Sequence, residues 1–295
     1  MRIIIFGAAG MLGHKLVQAL SNGFEVFGTV RGDASQIGCL GLLPDERILS
    51  NVDICDEANI EAALMATRPD VVINAVGIVK QSAHANDVIS ALTVNSIFPH
   101  RLARFSDQMG FRLITISTDC VFDGHRGGYT EADEPNAKDL YGKSKALGEV
   151  VAGNALTIRT SIIGRELFSS NGLVEWFFSN TGGKVQGYAK AVFSGFPTVV
   201  LADIIGDLIY KLPDLKGLYH ISSDPISKFE LLEIIRNEFN LKIEIERSED
   251  LVIDRSLNSD RFRAEASFRP KPWKTMMEIM ASDPTPYDKW RKLNR

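Results

Sequence analysis

The sequence predicts an α/β protein built on a doubly wound parallel sheet, and three observations predict it. Short apolar runs recur through the first half, each followed by a helical pattern, as buried parallel strands with crossover helices require. The first run, Arg2–Phe6, leads straight into the glycine-spaced segment Gly7-Ala-Ala-Gly-Met-Leu-Gly13. The run Val71–Asn74 leads likewise into a second small-residue turn, Ala75-Val-Gly77.

Arg2–Phe6 is a strand, and His14–Leu20 carries helical spacing. Glu25–Val30 is a second strand ending at Arg31, and a short third surrounds Ile48 and Leu49. Asp53 and Ile54 form a turn, with Asp56 as the next helix cap. After Val71–Asn74, Asn95–Met109 reads as one long helix that Pro99 would kink. Arg112–Ser117 is a strand, 128–139 a polar loop, and Ala155–Arg159 a sixth strand. Beyond Gly164 the pattern changes. Leu173–Phe178 is an aromatic stripe, 184–198 is rich in glycine and aromatics, and Leu201–Leu212 is helical. Gly217–Ile221 is a strand that rejoins the main sheet, and Ser227-Lys-Phe-Glu230 is a capping box opening a helix to Phe239. The expected division is 1–163 with 199–222 as the sheet domain, and 164–198 with 223–295 as a smaller, largely C-terminal substrate-binding domain.

The chain has 295 residues, 45% of them hydrophobic and 24% charged, as in ordinary globular proteins. A net charge of −4 without a basic run weighs against nucleic-acid or anionic-membrane binding. No apolar stretch has the length of a membrane span, and the start lacks a signal-peptide core. Cys39, Cys55 and Cys120 are widely spaced with no CxxC pair, which predicts reduced thiols in a cytoplasmic protein and no metal site.

The opening glycines have the spacing GxxGxxG. Gly7 permits a tight turn, Gly10 with Met11 and Leu12 lets backbone approach a pyrophosphate, and Gly13 lets helix pack on strand. This is a Rossmann-type dinucleotide cradle. Asn74, Ala75, Val76 and Gly77 supply a second close approach, and Asp53 and Ile54 border the adenine. Arg31 at the second strand's tip suits a 2′-phosphate, so NADPH is the expected cofactor, with NADH left open by Asp33 close by.

Tyr141 and Lys145 stand four residues apart in Leu140-Tyr-Gly-Lys-Ser-Lys-Ala-Leu-Gly-Glu149, on one helix face. An ammonium beside a phenol lowers its pKa from about 10 and suits it to proton transfer. Taken alone, the pair is more often a surface tyrosine and a solvated lysine.

The glycine loop, Ser117-Thr118-Asp119-Cys120-Val121-Phe122, the Tyr141 segment, Arg159-Thr-Ser161 and Phe196-Pro-Thr198 occur in an order that resembles the extended short-chain dehydrogenase/reductases. Among them they are most similar to the dTDP-4-dehydrorhamnose reductases and their nucleotide-sugar relatives. The resemblance implies Thr118, Tyr141 and Lys145 as the catalytic set, with Tyr141 and Lys145 also touching the cofactor. It implies reduction of the C4 carbonyl of a nucleotide-linked 6-deoxy-4-keto hexose, and it is compatible with a homodimer. Cys120, Phe196, Thr198 and Arg255 are the substrate contacts it suggests; Arg261, Arg263, Trp176 and Phe193 are softer candidates. Asn95 either holds a water on the proton path or bonds backbone.

Departures narrow the reading. Dehydratases of this type carry Thr-Asp-Glu, and Cys120 stands in the third place. The fucose-type epimerase-reductases have a cysteine there, which keeps epimerisation open, although His125 lies in a polar loop. A cofactor-binding regulatory subunit, as among partners of methionine adenosyltransferase, is the alternative of another class.

Overall fold

In the computed structural model the described residues are 1–80 and 86–293, the side chains of Gln36, Lys292 and Leu293 excepted. The chain runs β1 (Arg2–Phe6), α1 (Gly13–Leu20), β2 (Glu25–Thr29), α2 (Ser35–Gly38), β3 (Ile48–Leu49), α3 (Glu57–Thr67), β4 (Val71–Asn74), α4 (Val88–Leu92), α5 (Phe98–Met109), β5 (Arg112–Thr118), α6 (Leu140–Leu147) and β6 (Ala155–Thr160). There follow β7 (Ile162–Ile163), α7 (Leu173–Ser179), β8 (Lys184–Tyr188), β9 (Ala191–Phe193), β10 (Phe196–Pro197), α8 (Thr198–Lys211) and β11 (Gly217–His220). The last elements are β12 (Ile226–Ser227), α9 (Lys228–Glu238), β13 (Glu244–Ser248), β14 (Ile253–Asp254), α10 (Asp260–Glu265), α11 (Trp273–Ala281) and α12 (Tyr287–Leu293).

The main sheet has seven strands in the order β11-β6-β5-β4-β1-β2-β3, and every pairing in it is parallel. Ile3, Ile4, Ile5, Val72, Ile73, Leu113 and Ile114 are buried, because helices cover both faces. The predicted return of the chain at Gly217 is seen as β11 pairing with β6. Asp56 caps α3 and the Ser227–Glu230 capping box opens α9, both as read from sequence.

The long helix predicted from Asn95 differs in form. It begins earlier, at Val88, and passes through a π-helical turn, Thr93–Ile97, before α5. Pro99 lies in the first turn of α5 and has no N–H to offer the carbonyl four residues back, so the backbone widens at Asn95 instead of kinking at the proline.

Three small sheets lie outside the main one: β7 with β10, β8 with β13, and β12-β9-β14. One apolar cluster runs unbroken from Ile3 and Leu16 to Ile235, Met276 and Trp290. The later elements therefore share the core of one sheet face. No helix among the described residues is long and apolar enough to cross a membrane.

Candidate active site

The strand order reverses between β1 and β4, and a crevice opens where the following turns diverge. Gly7 has φ +88°, a conformation strained for any side chain. A Cβ on Gly13 would lie 1.9 Å from the Gly7 carbonyl oxygen, so this turn closes only with hydrogen there. Gly10 and Gly77 are exposed, Met11, Ala75 and Val76 half-buried, and Leu12 and Asn74 buried. Asn74 Oδ1 accepts the Val76 N–H at 3.1 Å and holds the second turn. α1 begins with no side-chain cap and no acidic residue in its first turn, so its N–H end suits an anion. These residues fit a dinucleotide pyrophosphate.

The C-terminal segment braces this loop from behind. His14 bonds the Gly10 carbonyl through Nδ1 at 2.8 Å and Tyr287 Oη through Nε2 at 2.9 Å. Burial lowers the His14 pKa to about 4, so the ring is neutral at pH 7, donating from Nδ1 and accepting at Nε2. Lys15 donates to Thr285 Oγ1 at 2.7 Å and pairs with Asp283. No local pattern in the sequence announces contacts of such range.

At the adenosine end, Arg31, Asp33 and Asp53 are exposed and Ile54 half-buried. Asp33 and Asp53 each accept a backbone N–H two residues on, at 2.7 and 2.9 Å, so both hold turns. Val52 N–H donates to the Val30 carbonyl and Asn51 N–H to the Gly32 carbonyl, both at 3.0 Å, which sets Arg31 beside the segment leading to the Asp53-Ile54 turn.

β5 delivers Thr118 to the same end of the sheet. Thr118 Oγ1 accepts the Cys120 N–H and donates to Asp119 Oδ1, both at 3.1 Å. Asp139 caps α6 by accepting the Gly142 N–H at 2.9 Å. A Cβ on Gly142 would stand 2.2 Å from the Cys120 carbonyl oxygen, so α6 lies against the loop after Thr118. Thr118, Tyr141 and Lys145 thus gather at one place, the phenol within the influence of the Thr118 hydroxyl.

The ionisation differs from the expectation. Burial, and next the neighbouring Cys120, pushes the Tyr141 phenol up rather than down, and the Thr118 hydroxyl opposes the rise. Lys145 Nζ donates to the Ile116 carbonyl at 2.6 Å, and burial draws its own pKa down to about 8 against the charge of Glu149. The cation over the Tyr141 ring is Lys80, 5.7 Å from the centroid and paired with Asp139 at 2.9 Å. Burial, then Asp119, pushes the Cys120 thiol up to about 12.

Asn95 accepts the Ile78 N–H at 2.9 Å and donates to the Ile78 carbonyl at 3.0 Å and Ser144 Oγ at 3.1 Å. Its amide thus bonds the Ile78 backbone and the α6 hydroxyl of Ser144. Phe196 is fully buried against Phe268, and Thr198 is buried beside Gly164. Both side chains serve the core here, because β10 pairs with β7 beneath the surface. Phe193 is also buried, Trp176 faces outward, and His125 is solvent-exposed. Arg261 lies over Tyr219 and Arg263 pairs with Asp224. Arg255 differs: its stem passes Gly124, its Nε donates to the Phe122 carbonyl at 2.8 Å, and its charge reaches Asp119 and Cys120.

Two further features escaped the sequence reading. Glu149 and Arg159 form a buried bidentate pair, both bonds 2.7 Å, with Ser117 Oγ donating to the same carboxylate at 2.6 Å. Lys228 stands over the Phe193 ring, 4.0 Å from its centroid. A lysine in the first helical turn opposes the dipole, and that anomaly was the available signal.

The model of the RmlD substrate binding domain matches residues 1–282. The chain belongs to this family. It is 26% identical to the spore coat polysaccharide biosynthesis protein SpsK of Bacillus subtilis over 295 residues, covering 92% of this chain and 94% of that protein. It is also 27% identical to methionine adenosyltransferase 2 subunit beta of Bos taurus, over 81% of this chain and 72% of that protein. A hypothetical dTDP-4-dehydrorhamnose reductase from Sulfolobus tokodaii superposes with a TM-score of 0.77 at 28% identity, covering 92% and 98% of the two chains. The Bacillus anthracis dTDP-4-dehydrorhamnose reductase, crystallised with NADP, has the same fold at a TM-score of 0.78 and 24% identity, covering 95% and 98%.

Proposed function

We propose that this protein is an NADPH-dependent reductase of a nucleotide-linked 6-deoxy-4-keto hexose. The observation that carries the reading is the meeting of Thr118, Tyr141 and Lys145 beside the glycine crevice of a family fold. A bound reduced nicotinamide supplies the hydride. Tyr141, a phenol protonated at neutral pH, gives its proton to the C4 oxygen. Thr118 turns its hydroxyl hydrogen from Asp119 Oδ1 to the same oxygen. Lys145, an ammonium below about pH 8, is placed to turn from the Ile116 carbonyl to the nicotinamide ribose. The sugar lies between 1–163 with 199–222 and 164–198 with 223–295. Such a reductase works in deoxysugar and surface-polysaccharide biosynthesis in the cytoplasm.

NADPH oxidation with a panel of dTDP-, UDP- and GDP-linked 4-keto-6-deoxy sugars tests this reading. Turnover with at least one sugar is expected, and product made in deuterated water carries no deuterium on carbons flanking the ketone. Deuterium there would instead support epimerisation, against which the high pKa of Cys120 stands. Similarity to methionine adenosyltransferase 2 subunit beta favours a second reading, a cofactor-binding regulatory subunit. NADPH binding without turnover on any keto sugar would decide for it.

Cofactor choice has its own test. Arg31→Asp removes the cation suited to a 2′-phosphate, and the Kd ratio of NADPH to NADH should move towards NADH by about tenfold or more. An unchanged ratio would show that Arg31 takes no part.

A further inference from the structure

The sheet β12-β9-β14 brings two cations to the loop after Thr118. Ile226 and Ser227 pair with Phe193 and Val192, and Ile253 and Asp254 pair with Ala191 and Val192. Lys228 and Arg255, each next in the chain, therefore flank the strand that carries Phe193. The Lys228 charge acts on Asp119 and Cys120, and Arg255 acts on the same two residues. Arg255 already donates to the carbonyls of Phe122 and Asp123. Lys228 has no such acceptor: among the described residues no hydrogen bond or salt bridge holds its ammonium, which rests on the Phe193 ring.

An ammonium at the start of a helix, resting on an aromatic ring beside the Cys120 loop and lacking an acceptor, is placed to receive an anion. We propose that Lys228 is the substrate-anchoring residue of this site, its ammonium taking a non-bridging diphosphate oxygen of the nucleotide sugar beside Cys120. Asp119 lies within reach of that charge but makes no hydrogen bond or salt bridge to it, and burial raises its carboxyl pKa. The Phe193 face holds the ammonium in place without neutralising it. The assignment rests on the nucleotide-sugar reading above and adds to it which residue takes the charge.

Titrating the NADP⁺-saturated protein with dTDP, UDP and GDP, and with the corresponding monophosphates, tests the proposal. Wild-type protein should prefer at least one diphosphate to its monophosphate. Lys228→Met should weaken that diphosphate by about 10- to 100-fold and shrink the preference, with NADPH affinity and thermal midpoint near wild type. Lys228→Arg should keep the diphosphate within about threefold. A Lys228→Met protein that retains the full diphosphate preference overturns this proposal alone. Wild-type protein that binds none of the six nucleotides overturns it together with the nucleotide-sugar reading.

Discussion

Tyr141→Phe is expected to lower kcat by at least about 10²-fold, the range for losing a positioned general acid. The substitution removes one oxygen from a half-buried ring and leaves the packing of α6 on the Cys120 loop in place. Burial and Cys120 raise the phenol's pKa, and the Thr118 hydroxyl beside it opposes the rise. Without the phenol, a hydride arriving at the carbonyl carbon leaves an alkoxide whose nearest remaining partner is Thr118, a far weaker proton donor. NADPH affinity, measured by fluorescence titration, should stay near wild type because the glycine crevice is untouched. A variant that turns over at the wild-type rate would eliminate Tyr141 as the proton source.

Glu149→Gln is expected to destabilise the protein by about 3–5 kcal/mol, the cost of leaving one member of a buried ion pair unmatched. Arg159 and Glu149 are each less than a tenth exposed. The amide would keep one oxygen for Ser117 or Arg159 but could not match the bidentate guanidinium, which also lies over Phe122, 5.1 Å from its centroid. The loss should reach the site. Glu149 stands one helical turn beyond Lys145 and opposes the fall in its pKa, so the variant lysine is less often charged at pH 7 and NADPH should bind more weakly. Denaturant unfolding monitored by circular dichroism gives the stability term. Glu149→Met with Arg159→Met should recover much of it, since two apolar groups leave no charge stranded. A single variant as stable as wild type would mean that Arg159 finds another acceptor.

Both residues belong to segments legible in the sequence, yet neither role was. Glu149 and Arg159 were visible only as members of motif strings, ten positions apart, and the bond between them exists because the segment after α6 folds back along β6, where Thr157 Oγ1 donates to the Val150 carbonyl at 2.6 Å. Asn95 shows the same limit: its bonds to Ile78 and Ser144 cross from one crossover segment to the next helix. Lys228 was read only as the second residue of a capping box, because the aromatic ring beneath it belongs to a strand thirty-five positions earlier.

The sequence by itself determined the parallel strands, the glycine turn, the helix caps and the placing of Tyr141 and Lys145 on one helix face. Each depends on neighbours within a turn or a strand, where periodicity and backbone sterics act. The tertiary structure alone decided that the Tyr141 pKa rises, that Lys145 turns to the Ile116 carbonyl, that Phe196 packs inward and that Lys228 rests on the Phe193 ring. Those outcomes depend on burial and on partners distant in the chain, since desolvation and Coulomb energy are set by what the fold brings near.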